Sequence, residues 1–274
     1  AELLPGRDPR TTFADWLTAP GNPWFARAIA NRVWYWLMGR GIVHEPDDLR
    51  ASNVPWSDEL LSLLERELVA RGFDLKHLYR LILTSEAYQR TSEPAGSNGT
   101  DDTGFSRYRI RRLDAEPLLD AINLVTGAGD TYTSNIPEPF TVLPADQRAI
   151  ALADGSMESP FLETFGRPSR NTSFESERNS APSVLQAQVL LNSSQIQRKI
   201  ERSRVLQGLA AKKDPRGPDA LVEELFIRVL SRFPTADERR AALDFLGSPK
   251  RKPFESVCDL VWALINTKEF ILKH

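Results

Sequence analysis

Apolar residues along this chain recur mostly at intervals of three and four, and that spacing predicts helices. Between Asn22 and Gly39, the residues Phe25, Ile29, Val33, Trp36 and Leu37 fall at helical spacing, with Asn22-Pro23 as the start signal and Gly39 as the stop. From Ser57 to Ala70 the stripe is Leu60, Leu61, Leu64 and Leu68, closed by Gly72. Asp74 caps a third helix carrying Leu75, Leu78, Tyr79 and Ile82 inward and Lys76 and Arg80 outward. Asp114 caps a fourth over 115–125, with Gly127 just past its end.

The pattern then breaks. Pro137, Pro139, Pro144, Pro160 and Pro168 interrupt every run between about 128 and 181, while 91–106 is a polar, Gly-containing loop. Order returns at Pro182, where Val184, Leu185, Val189, Leu190 and Leu191 predict a largely buried helix. Asn192-Ser193-Ser194 breaks it, and Ile196 and Ile200 continue on a more polar helix. After a linker at 211–218 come helices over 219–231, over 235–246 with Thr235 and Glu238 as a capping box, and from 254 to about 268. The strand signal is weak throughout. The fold class is all-α: an irregular multi-helix bundle with an N-terminal helical lobe (1–125), an irregular connecting region (126–181) and a C-terminal helical lobe (182–274), together forming one domain.

Composition narrows the function classes. The 274 residues are 41% hydrophobic and 26% charged, which suits a soluble globular chain and excludes wholesale disorder. A net charge of −2 argues against a dedicated nucleic-acid binder, despite the local stripe of Arg107, Arg109, Arg111 and Arg112. No apolar run reaches the roughly 18 residues that a membrane-spanning helix needs. The lone cysteine, Cys258, sits in the apolar pattern FESVCDLVWALI and reads as a small buried hydrophobe.

Chemistry has few candidates. The three histidines, His44, His77 and His274, form no metal-ligand spacing, and no Gly-x-Ser-x-Gly elbow surrounds a serine. Trp36 and Trp262 read as core, while Trp24, Trp34 and Trp56 have less decided faces. What remains is a charged cluster: Arg111, Arg112, Asp114 and Glu116 in one segment, and Arg167, Arg170, Glu175, Glu177 and Arg178 in another. General acid–base work needs two carboxyls with pKa values pushed apart. Arginines beside these carboxylates keep them ionised, which favours ion pairs pinning the irregular region over a catalytic or ligand site.

Several segments together carry a resemblance: WLTAPGNPWFARAIANRVWYWLMGRGIVHEPDDLR, GFDLKHLYRLILTSEAYQRTS, RRLDAEPLLDAI, FGRPSRN through VLLN, LSRFPTADER and WALINTKEF. In this order they resemble the planctomycete-type domain of unknown function 1553, the C-terminal module of cytochrome-like surface proteins. The resemblance implies an extracytoplasmic setting, periplasmic or cell-surface, and an upstream domain of the same polypeptide, cytochrome c-like in some members, as the partner. A c-type haem belongs to that upstream domain, because this chain has no C-x-x-C-H; no cofactor is expected here. Where relatives carry a Cys-x-Cys before the Glu-Arg pair, this chain has Phe174 and Ser176, which removes a thiolate or metal role at that point. The function implied is a non-catalytic helical interaction module. The alternative is an enzyme or carbohydrate-binding domain with an Arg/Glu-lined cleft between the lobes.

Overall fold

Helix boundaries follow the capping chemistry of the sequence. The structure is a computed structural model, and it describes the chain except residues 1–5, 7, 102, 135, 137–142, 145, 153–156, 170–173, 213, 250 and 274. It is an all-α, multi-helix fold; the strands among the described residues are two residues long, Arg111–Arg112 and Leu272–Lys273. The chain divides into two compact units, one of residues 1–111 with 174–176 and 274, the other of 112–173 with 177–273.

The first unit holds α1 (Pro9–Leu17), α2 (Phe25–Met38), α3 (Asp58–Ala70) and α4 (Leu75–Leu83). α1 was not legible as a helix in the apolar pattern; Asp8 caps it by accepting from the Arg10 N–H at 2.9 Å. α2 begins two residues after Pro23, with Trp24 and not Asn22 at the N-cap position; Asn22 instead shapes the turn that enters the helix, its Oδ1 accepting from the N–H groups of Trp24 and Phe25 at 2.9 and 3.0 Å. Asp74 caps α4 as its sequence position predicts, and Ser57 caps α3. The buried face of α2 is Ala26, Ala30, Val33, Trp34 and Met38, against Leu61, Leu64, Leu68, Leu78 and Ile82 of α3 and α4. That face corrects the expectation for Trp36, which is 40% exposed, while Trp34 takes the interior position. Small residues at 26 and 30 let the neighbouring helices approach on the Val33 side, so the helix turns Trp36 outward.

In the second unit α5 (Ala115–Thr126) is followed by α6 (Pro160–Thr164), α7 (Val184–Asn192), α8 (Ser194–Glu201), α9 (Arg204–Ala211), α10 (Pro218–Leu230), α11 (Ala236–Leu246), α12 (Pro253–Ile265) and α13 (Lys268–Ile271). Between α5 and α7, the described regular structure is α6 and two short 3-10 turns, Ala149–Ala151 and Glu175–Glu177. The core is built from Leu118, Leu119 and Ile122 of α5, Phe161, Leu162 and Phe165 around α6, and Leu225, Val257, Val261 and Ile265 of α10 and α12. Cys258 is buried at the edge of this core.

α7 departs from its sequence reading. Its buried positions are Gln186 and Leu190, whereas Val184, Leu185 and Leu191 are exposed. Gln186 explains the rotation: its Nε2 donates to the Thr164 carbonyl at 3.0 Å and its Oε1 accepts from the Ser183 N–H at 3.2 Å. Holding this amide inward places the opposite, more apolar face in solvent.

Candidate functional site

The charged residues singled out by sequence fall into distinct groups, and the most buried one forms at the first turn of α5. Asp114 is the N-cap residue; its carbonyl accepts from the Leu118 N–H at 3.0 Å, and its carboxylate makes no capping bond. Glu116, two residues on, is only 2% exposed, at a helix end whose dipole favours an anion. Arg178 grips its carboxylate in a fork, Nη1 to Oε2 at 2.8 Å and Nη2 to Oε1 at 3.1 Å. The Arg167 side chain, 4% exposed, brings Nε to 4.0 Å from Oε1 and donates Nη1 to the Met157 carbonyl at 3.1 Å. Burial pushes the Glu116 carboxyl up, but the Arg178 hydrogen bonds and charge, helped by Arg167, outweigh it and hold the group below its ordinary value. This group is therefore ionised at neutral pH.

Arg112 works on the neighbouring backbone. Its guanidinium donates to the carbonyls of Leu113 (2.9 Å), Phe165 (2.8 Å) and Asn179 (3.4 Å), and lies over the Phe165 ring at 5.4 Å. Phe165 and Asn179 are the two ends of the charged loop, and the Asn179 N–H closes them by donating to the Gly166 carbonyl at 3.2 Å. Gly166 has φ +87°, and a Cβ there would lie 1.9 Å from the Asn179 carbonyl oxygen. Only glycine fits that neck. Burial, opposed by Asp114 and reinforced by Arg178, lowers the pKa of Arg112, which stays charged at any ordinary pH.

The remaining members lie elsewhere. Arg111 belongs to the first unit, where its guanidinium donates to the Tyr35, Trp36 and Leu37 carbonyls (3.4, 2.7 and 2.8 Å), completing the C-terminus of α2 beside the left-handed Gly39. Glu175 also sits with the first unit: its Oε1 accepts from Trp36 Nε1 at 2.8 Å and its backbone N–H donates to Asp47 at 2.6 Å. Glu177 lies in the 3-10 turn, half-buried, with the second unit. Arg170 lies outside the described residues.

Besides Gln186, the buried polar residues that sequence reasoning missed include Asp120 and Asn31. Asp120, 8% exposed on α5, accepts from the N–H groups of Ala149 and Ile150 at 2.8 and 3.1 Å and so fixes the 3-10 turn of the Pro-rich region. Asn31, fully buried in α2, exchanges hydrogen bonds with Val43 and donates to the Pro46 carbonyl, all at 3.0 Å. A polar residue inside an apolar helical stripe was the available signal for both.

Chemically, these arrangements hold charge in place. Catalytic pairs need one carboxyl raised towards neutrality, and Glu116 is moved the other way. Among the described residues, no three His, Cys, Asp or Glu side chains are placed to hold a metal ion, and no helix is long and apolar enough to cross a membrane. A single cysteine without C-x-x-C-H does not fit covalent haem attachment. Neither a curated protein nor a solved structure matches this chain. A family model described as "PSD1: Protein of unknown function (DUF1553)" matches residues 9–246, and the chain belongs to that family.

Proposed function

We propose that this chain is a non-catalytic, extracytoplasmic interaction module that supports a cytochrome-like or surface assembly by packing against the domain preceding it in the same polypeptide. The observation that carries the reading is the closure of Glu116, Arg178 and Arg167 on one another. With Arg112 and Arg111 spent on backbone carbonyls, the charges that looked most like a site act as fasteners. The setting and the cytochrome association rest on the resemblance of the sequence segments to cytochrome-like surface proteins. In such an assembly the upstream domain holds any haem, and this chain supplies no ligand to it.

The test is co-expression of this chain with the preceding domain of its polypeptide, followed by size-exclusion chromatography and limited proteolysis. A stable one-to-one complex is expected. Independent elution of the two, or turnover of a polysaccharide or ester by the chain that is abolished by Glu177→Gln or Asp114→Asn, overturns the proposal.

A further inference from the structure

One face of the second unit joins an uncovered apolar stripe to an acidic, aromatic pocket. On α7 the side chains of Val184, Ala187 and Leu191 stand at i, i+3 and i+7 and therefore share one stripe, with Val184 76% and Leu191 48% exposed. Leu191 also forms the wall of a cavity of about 240 Å³ that is lined further by Gln197 and Glu201 of α8 and by Cys258, Asp259 and Trp262 of α12. The α7 stripe thus runs directly into the cavity mouth.

The lining is negatively biased. Asp259 is paired with Arg251, but Glu201 is exposed and has no ion-pair partner among the described residues. Its field reaches the cavity floor: burial first, then Glu201 and Glu255, push the Cys258 thiol up to about 11. An unpaired carboxylate beside an indole is the chemistry that receives an alkylammonium or guanidinium group, by charge and by cation–π attraction. An apolar stripe at i, i+3 and i+7 is the footprint of a partner helix laid along it.

Resting on the interaction-module reading, we infer that α7 and the Glu201–Trp262 pocket form the docking surface for a basic amphipathic helix of the partner. Its apolar face covers Val184, Ala187 and Leu191, and one Lys or Arg enters the pocket. Charge complementarity selects this occupant. A second copy in a two-fold contact sets the same patch on both sides and brings Glu201 towards Glu201. An anionic membrane surface is repelled by the same carboxylate.

Cys258, the single cysteine of the chain, gives the pocket its own reporter. The probes are two labelled synthetic helices of about 18 residues, long enough to be helical. They share a leucine stripe and differ in carrying either Lys or Glu on the flanks. Binding to the full chain is read by fluorescence anisotropy, and pocket occupancy by the rate of Cys258 alkylation with N-ethylmaleimide at pH 9, where Lys (about 10.4) keeps its proton. The Lys helix is expected to bind and to slow alkylation severalfold, with affinity falling in high salt. Glu201→Gln and Leu191→Lys, both surface changes, are each expected to weaken it about tenfold. Equal binding of the Glu helix, binding without protection of Cys258, unchanged affinity in both variants, or protection by neutral monosaccharides but by neither helix overturns the inference. If Leu191→Lys leaves the complex with the preceding domain intact, this surface is wrong and the module reading stands. Loss of that complex in the unmodified chain is instead the failure of the module reading.

Discussion

Replacing Glu116 by Gln keeps the shape of the buried side chain and removes its charge. Arg178 then faces an amide that accepts one hydrogen bond in place of two charge-assisted ones, and Arg167, 4% exposed, no longer has the Glu116 carboxylate at 4.0 Å. Removing one member of a buried ion pair costs about 3–5 kcal/mol. The Arg178 side chain is 21% exposed and recovers some hydration, which places Glu116→Gln near about 3 kcal/mol, at the lower end of that range. For a folding unit of ordinary size this lowers Tm by roughly 6–12 °C. Urea unfolding followed by circular dichroism measures it, with a shifted midpoint and an unchanged slope. The pH dependence provides a second arm. The folded pKa of Glu116 is depressed, so its stabilisation is full above the unfolded value near 4.5 and is lost as pH falls through the lower, folded value. Wild type should lose stability across that acid window more steeply than Glu116→Gln. A cost below about 1 kcal/mol, typical of an exposed surface pair, or parallel acid profiles, refutes the argument.

Gly166→Ala forces a Cβ against the Asn179 carbonyl at a positive φ, and should cost more than about 3 kcal/mol or prevent folding, whereas Gly21→Ala, with open space around it, should stay within about 0.5 kcal/mol in the same assay. Arg232 forks between Glu238 (2.8 and 2.7 Å) and Glu269 (2.6 and 2.8 Å), and its hydrogen bonds pull Glu238 down to about 2. Arg232→Lys keeps the charge but loses the fork; because the site is partly exposed to solvent, a loss of about 1 kcal/mol that shrinks in high salt is expected from thermal unfolding. The Glu238 contribution is present above about pH 4.5 and fades towards pH 2, so the variant should also flatten the profile there. Cys258, with its thiol pushed up to about 11, should alkylate slowly at neutral pH, with a rate rising about tenfold per pH unit between 8 and 10.

The helical class and most helix ends were determined by the sequence, because caps and periodicity are local effects. Ser57, Asp74 and Thr235 each accept from the N–H three residues on in their own helix, and no distant residue is needed to predict that. The apolar pattern of α7 was equally legible, but it states only which side chains prefer burial. Whether anything covers Val184 and Leu191 depends on residues distant in sequence, and the inward hydrogen bond of Gln186 to Thr164 decided against it. The charged cluster shows the same division. Its members were readable as a list, but the arginines that hold Glu116 ionised are Arg178 and Arg167, not the ones beside it in the chain. The members' partners were not readable, since ion pairing depends on distance in space. Tertiary structure alone assigned Arg178 to Glu116, Arg112 to the neck of the loop, and Arg111 to the end of α2.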